Sequence, residues 1–449
     1  MSRMGCNTPR AIGFGKEGPN PTVSKVRVIV PLPAFLQIAD TVLSIMLNDF
    51  LSTIFVPMPM IWEGARKNTQ QADIISGLCF LVEKSLDLES AGAIAQEDIK
   101  QHYDNVDTIK VFRWLVANNC APALAATFLR HQLLPTIHLR VGTGHAVISH
   151  RARGTLTGSR LAGQLGRIPV QDSLRKTLPT LSKLAWTFGD IVLVAATFVD
   201  NLFFTAPSLY RATKMADIVA EYLQEHWHQC MKPDSRQVLR LHASSADEAH
   251  SAGWEVLEQM TTLGIIIDSN GNISADFQQT KRKMWAAFWA NAGQASVRNA
   301  PVKAKVALLN RATLPIANAH FVYWPFTQER AKTLDRAQRK MLATLQRIKP
   351  KFDDTRDSFF DRKRRQAALL QDKMGKWSKR WAKRITRWDE HLERAQTNSF
   401  PSQLRSVRPA GELQQRRWQF FDRPRCRATS GPANARFSES LCAAYEHLK

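Results

Sequence analysis

Apolar positions change period along this chain, and the changes divide it into elements. Residues 26–32 (VRVIVPL) predict a strand, while residues 35–55, opened after a proline, predict an apolar helix. Asp40, Asn48 and Asp49 interrupt that helix, and Pro31, Pro33, Pro57 and Pro59 lie around it; these argue against a membrane span and for a core segment. Residues 73–88 predict a second, amphipathic helix, and residues 91–99 a short buried strand with an acidic residue near its end. Helical patterning returns over 106–133, with Pro135 ending it. Residues 184–206 are apolar and β-branched or aromatic with one sharp polar break at Asp200-Asn201, a strand–turn–strand signature. A helix follows over 212–228, and beyond 271 nearly everything has helical period, with breaks near Pro301, Pro315, Pro325 and Pro350. The first 24 residues and those from 396 onward turn to Gly, Pro, Ser and Arg, and predict a disordered leader and a basic, poorly ordered tail.

Charge sharpens this division. The chain of 449 residues carries a formal net charge of +23. Residues 281–431 hold 35 Lys/Arg against 12 Asp/Glu, so the whole excess lies in the C-terminal third and the first 280 residues are near neutral. A near-neutral core unit followed by a region that grips phosphates fits that distribution, and a polyanionic partner is implied. The six cysteines are scattered, with no short zinc-type spacing and no secretory signal ahead of them, so free thiols in a reducing intracellular compartment, nuclear or cytoplasmic, are expected.

Two carboxylates stand where strands would deliver them. Asp98 ends the strand in the run Gln96 to Asp104, and Asp200 sits at the turn of the apolar hairpin Thr197 to Phe204. Either alone would be read as a cap or turn residue. Together they suit nucleotidyl transfer, in which carboxylates from two strands converge on a pair of hard divalent cations.

With its neighbours, this pair resembles the reverse-transcriptase family, and specifically its non-LTR (LINE-type) retrotransposon branch. Asp98 to Tyr103 resembles the first palm motif, an aspartate followed five residues later by an aromatic; the resemblance implies that Tyr103 excludes the 2′-hydroxyl of a ribonucleotide. Residues 153–161 (RGTLTGSRL) resemble the second motif, which makes Gly158 and Ser159 candidates for shaping the nucleotide pocket, although Thr157 stands where a glutamine is usual and Ala162-Gly163 where Ser-Pro is usual. Phe198-Val199-Asp200-Asn201 resembles the third motif with Asn201 in place of its second aspartate, and the metal-ligand role carries onto Asp200. The helix 212–225 and Met231 to Arg236 resemble the fourth motif, with Lys232 and Arg236 both open as the lysine that protonates pyrophosphate. Thr262-Leu263-Gly264-Ile265 is similar to the primer-grip turn, which puts Leu263 and Gly264 against nucleic acid. Lys25 to Pro31 resembles the fingers strand that brings a basic residue, here Arg27, to the triphosphate; Gly64 to Ile74 is similar to the template-side segment, with Arg66 as its contact.

The resemblance covers about residues 25–350 and implies an α+β right-hand polymerase. Its parts are partial fingers (25–90), a palm with a small antiparallel sheet and inserted fingers-side helices (91–268), a helical thumb (269–350), and a basic tryptophan-containing helical region (351–395). The implied activity is RNA-directed DNA polymerisation with two Mg²⁺ ions, Mn²⁺ being a possible substitute, held by Asp98 and Asp200 with Asn201 beside them. The implied partners are an RNA template, a DNA primer or target and dNTPs, with no membrane. The short leader leaves no room for an endonuclease ahead of the polymerase and no such motif follows the thumb, so a chain cut short at its front is expected, with nicking supplied elsewhere. Asn201 and Thr157 keep a second class open, a decayed protein that binds nucleic acid without catalysis. In the basic region Trp377, Trp381 and Trp388 share one helical face among Lys379, Arg380 and Lys383. That leaves two readings for the indoles, stacking on nucleic-acid bases or burial against the thumb, with the cations on phosphates.

Overall fold

The protein is described from a computed structural model that covers residues 10–15, 26–64, 66, 69–87, 89–141, 144–148, 151–188, 191–241, 253–395, 400–406 and 437–448. It divides into two compact units, residues 1–70, 92–238 and 244–256 in the first and 71–91, 239–243 and 257–449 in the second. Residues 71–90, expected with the fingers, group with the second unit.

The first unit is built on two sheets. One has the order β2-β1-β5-β6, formed by β1 (Arg10–Gly15), β2 (Val26–Ile29), β5 (Ile137–Val141) and β6 (Gly144–Ile148). The other places β3 (Ile61–Glu63), β9 (Ala195–Phe198), β10 (Asn201–Ala206) and β4 (Gly92–Asp98) side by side, with β11 (Gln237–Leu241) continuing on the β4 side and β12 (Glu255–Leu257) after it. In β4 Ala93 to Glu97 are all buried, as are Leu202 to Ala206 in β10, so these strands are covered on both faces. The helices are α1 (Ala34–Ile54), α3 (Thr108–Ala117), α4 (Pro122–Leu133), α5 (Arg160–Leu181) and α6 (Leu209–Trp227); α6 packs on β4 and β10, and α5 packs on both α1 and α6. Beside the sheet, β7 (Trp186–Phe188) and β8 (Ile191–Leu193) form a hairpin of their own.

The second unit is mainly helical. It holds α2 (Gln71–Asp87) and the hairpin β13 (Gln259–Thr262)–β14 (Ile265–Asp268), then α7 (Ser274–Ala292) and the short helices α8 (Ala295–Arg298), α9 (Val302–Leu308) and α10 (Leu314–Asn318). Next come α11 (Gln328–Gln346), α12 (Arg356–Met374) and α13 (Trp377–Ala395), and the helices Phe400–Ser406 and Phe437–Leu448. The class is α+β, as expected, with the sheet that carries the two acids first and the helical region after it.

Four expectations change. The helix expected over 106–133 is two, because Asn119 takes a φ of +69° and Pro122 opens α4 at its first turn. The apolar stretch 184–206 holds two hairpins rather than one. Within the expected leader, residues 10–15 form β1, and within the expected tail Phe400–Ser406 and Phe437–Leu448 are helices, the latter packing on α13; the other residues of both lie outside the described ones. Finally, α1 lies between Pro33 and Pro57 as expected, but it is only partly core. Its length and composition suffice to cross a membrane, and the reading as a core segment holds for one face only: Ser44, Leu47 and Leu51 are buried while Phe35, Ile38 and Val42 are exposed.

Packing decides the reading of the tryptophans. Trp377, Trp381 and Trp388 are all buried, Trp381 among Phe321, Trp324 and Phe326 with its indole N–H donating to the Phe321 carbonyl at 3.0 Å. They are core residues and offer no face for base stacking. Trp381→Ala should destabilise the second unit by about 3–5 kcal/mol, the cost of emptying a large buried aromatic site; chemical denaturation followed by circular dichroism measures it, and a change under 1 kcal/mol would contradict the burial.

Candidate active site

The site is set by one register. β10 runs antiparallel to β4 with Asn201 opposite Asp98 and Leu202 opposite Glu97, and β9 pairs back on β10 with Phe198 opposite Asn201. Val199 and Asp200 are thus the two residues of a tight hairpin loop. Val199 has φ +60°, a conformation that a β-branched residue adopts only when the surroundings impose it. The ladder continues past the turn, since the Ile99 N–H donates to the Asp200 carbonyl at 3.0 Å. Asp98 and Asp200 therefore come from adjacent strands to one edge of the sheet, and the Asn201 side-chain amide donates to Asp200 Oδ1 at 3.1 Å.

Two other segments singled out in the sequence bond to the run from Asp98 to Val106. The Lys232 N–H donates to the Asp98 carbonyl at 2.8 Å, and the Asp98 N–H donates to Ser235 Oγ at 2.9 Å, which straps 230–236 across the end of β4. Of the two cations left open there, Arg236 is engaged: it lies 3.5 Å from Glu97 and 3.3 Å from Asp217, with its guanidinium over Trp254. Lys232 is exposed, with no ion pair among the described residues. On the other side, Thr155 N–H donates to the Tyr103 carbonyl at 2.8 Å and Gly154 N–H to that of Val106 at 2.9 Å. Gly154 needs to be glycine, since at φ +79° a Cβ would stand 2.8 Å from the Asp104 carbonyl oxygen. Gly158, at φ +112°, lies against Val30, whose N–H donates to the Thr157 carbonyl at 2.8 Å. Tyr103 is half-buried, its ring beside that of buried His102, and both pack over Gly166 of α5.

Ser159 is fully engaged. Its hydroxyl caps α5 by accepting from the Ala162 N–H at 3.2 Å, accepts from the Gln132 amide at 2.9 Å, and donates to Asp40. Asp40 is the centre of this network. It accepts from the Arg160 N–H at 2.7 Å and lies 3.1 Å from His131 Nε2, all from within an apolar helix where it is 1 % exposed. Burial alone would raise its carboxyl; the bonds from His131, Ser159 and Arg160 outweigh burial and hold it below the ordinary carboxylate value. The sequence signalled Asp40 only as an interruption, held His102 and Ser235 inside motif-like runs without a role, and signalled Gln132 not at all, because no local pattern distinguishes a buried polar partner from a surface one.

Other predicted residues lie apart from this cluster. Arg27 pairs through its backbone with Phe14 in the β1–β2 ladder, and its side chain lies outside the described residues. Arg66 stands 3.8 Å from Glu63, which is held by buried Arg167. Leu263 and Gly264 form the β13–β14 turn of the second unit with φ +49° and +87°, where Gln71 donates to the Leu263 carbonyl at 2.7 Å. Lys379, Arg380 and Lys383 lie exposed on α13 of the same unit.

Asp98, Asp200 and the Asn201 amide carry hard oxygens of the type Mg²⁺ prefers, whereas no group of three or more His, Cys, Asp or Glu that could hold a metal occurs among the described residues.

Comparison with known proteins gives little beyond this. No protein family and no curated protein matches the chain. Among solved structures it is similar to telomerase from Candida tropicalis in complex with a fragment of telomeric RNA, at 12% identity and a TM-score of 0.42, covering 85% of this chain and 57% of that one. Telomerase from Candida albicans, also with a telomeric RNA fragment, gives 10% and 0.41 over 81% and 62%. Apo telomerase from Candida tropicalis lacking its C-terminal domain gives 12% and 0.40 over 59% and 54%. The chain thus spans roughly three-fifths or less of the length of these proteins, and likeness at such scores carries no argument about activity.

Two measurements follow from the buried acids. Asp40→Asn keeps the shape but takes the anion from His131 and from the cap of α5; a loss of about 3–5 kcal/mol is expected, as for breaking a buried pair, read from the denaturation midpoint. Glu97 faces away from Asp98 and is pushed up to about 8, first by burial and further by Asp217, against the opposing pull of Arg236. A raised carboxyl is a stability present at low pH and lost as pH rises, because the unfolded chain ionises near its ordinary value while the fold still holds the proton. Stability should therefore fall between about pH 4.5 and about 8, and Glu97→Gln should flatten that fall; parallel pH profiles for the two proteins would contradict it.

Proposed function

We propose that this chain is the polymerase part of a non-LTR retrotransposon reverse transcriptase, an RNA-directed DNA polymerase acting on dNTPs at the 3′-hydroxyl of a primer, nuclear or cytoplasmic in location. The observation that carries the reading is the register that sets Asp98 against Asn201, with Asp200 at the strained turn beside it. Asp98 and Asp200 would hold magnesium, which supplies charge neutralisation at the triphosphate and activation of the attacking hydroxyl. Tyr103, whose carbonyl is tied to the 154–158 loop, would wall the sugar pocket, and Gly158 would let backbone approach there. Lys232 is the cation on hand to give a proton to the leaving pyrophosphate.

Asn201 favours a second reading, a nucleic-acid-binding protein that has lost turnover, because an amide brings one negative charge fewer to a site that must neutralise a dication. Primer extension on an RNA template with Mg²⁺ or Mn²⁺ separates the two. Extension by the wild-type chain, lost in Asp200→Ala and raised about tenfold or more in Asn201→Asp, is expected if each missing charge costs on the order of 1–3 kcal/mol. Activity in Asn201→Asp alone, with none in the wild type, would leave only the binding reading.

A further inference from the structure

The basic helix α13 is divided along its length. At about 100° per residue, Trp377, Trp381, Ile385, Trp388 and Leu392 fall on one side, and all are buried. Lys376, just ahead of the helix, and Lys379, Arg380, Lys383 and Arg387 fall within an arc of about 100° on the other side, and all five are exposed. The track of five cations is about 17 Å long at 1.5 Å per residue, and Glu390, on the same side, ends it. Among the described residues none of the five has a carboxylate within ion-pairing distance. The track is also held still: the Ser378 N–H and hydroxyl donate to the Asp335 carboxylate of α11 at 3.0 and 2.7 Å, and three buried indoles fix the rotation of the helix about its axis.

We propose that this face of α13 is a docking track for the phosphate backbone of a nucleic-acid duplex, and that it recognises charge and shape without reading bases. The inference rests on the polymerase reading above only for the duplex being an RNA–DNA hybrid. Charge complementarity names the class of partner. The burial of the indoles narrows it, because single-strand binders hold bases by stacking on exposed aromatics, and this face has none. A rigid line of cations gains most from the denser charge of two strands.

Fluorescence anisotropy of the full-length chain tests it, with a labelled hybrid of about two helical turns (roughly 20 base pairs) and a single-stranded RNA of equal length, over a range of salt. Replacing Lys379, Arg380, Lys383 and Arg387 by Gln should weaken hybrid binding about tenfold or more and lower the slope of log Kd against log salt by about 3–4, close to 0.9 for each phosphate no longer neutralised. The charge-keeping exchange K379R/R380K/K383R/R387K should bind within about twofold of the wild type, and circular dichroism should show both variants folded like it. Unchanged affinity and slope in the neutral variant would overturn the proposal. So would tighter binding of the single strand than of the hybrid, or a neutral variant that loses only its binding to phosphatidylserine vesicles. The two readings fail separately: Asp200→Ala removes extension and should leave hybrid binding unchanged, whereas the neutral variant should bind weakly whether or not the chain extends a primer.

Discussion

In an antiparallel ladder successive side chains point to opposite faces, so a slip of one residue between β4 and β10 would exchange every buried group for its neighbour. That register is the constraint on which the first unit depends. It sets Asp98 opposite Asn201, it leaves Val199 and Asp200 as the loop, and it forces Val199 into a positive φ. The continuous burial of both strands is what makes a slip costly. Each has α6 on one side and the core of the unit around it, so no register with the polar ends drawn inward is available. The candidate chemistry is therefore placed by packing at a distance from it, and the strain at Val199 is sustained by the same packing.

Each unit also uses one buried aspartate to collect donors from separate elements. In the first, Asp40 of α1 gathers Ser159, the Arg160 amide and His131, joining the loop of 154–158 and the start of α5 to two other helices. In the second, Asp276 of α7 takes the Ile266 N–H at 3.0 Å, and the Trp324 indole and His320 Nδ1 each at 2.7 Å, tying the β13–β14 hairpin to the helical core. A buried charge of this kind adds little net stability over an apolar replacement, but every partner left without it is an unsatisfied polar group. Such centres specify which elements meet. The turn of Leu263 and Gly264 and the loop holding Gly158 both owe their positions to one.

The sequence was legible where a pattern is local. The strand ending at Asp98, the hairpin around Asp200, and the helices of 34–54 and 209–227 follow from period and composition, and their ends shift by only a few residues. What escaped was set by tertiary partners. The division between α3 and α4 turned on the backbone of Asn119; the β5–β6 hairpin lacks an alternating signal strong enough to stand out; and β1 lies in a stretch whose composition reads as leader. Among the expected site residues, Asp98 and Asp200 lie at adjacent strand ends with the Lys232 backbone bonded to Asp98, whereas Arg236, equally plausible from sequence, is held by Glu97 and Asp217. Ion pairing between residues far apart in the chain has no one-dimensional signature. The indoles of α13 show the limit from the other side, since their spacing fixed the shared face while only packing could say whether it faced inward.

Asn201 has a consequence that its lost charge does not exhaust. Its amide N–H donates to Asp200 Oδ1, so the residue that replaces a ligand also occupies part of the remaining one. For a cation to use Asp200 fully and to find the oxygen of Asn201, the side-chain amide must turn over, which exchanges a hydrogen bond worth about 0.5–1.5 kcal/mol for a metal contact. An aspartate in the same place would repel Asp200 in the absence of metal and so store a preference for binding it. Asparagine reverses this: the pair is content without an ion, and metal affinity falls both because a charge is missing and because the metal-free form is stabilised. Under the proposed polymerase reading, asparagine here would favour a fold that stands without a cation, which is what a scaffold retained for binding would need and what an efficient catalyst would not.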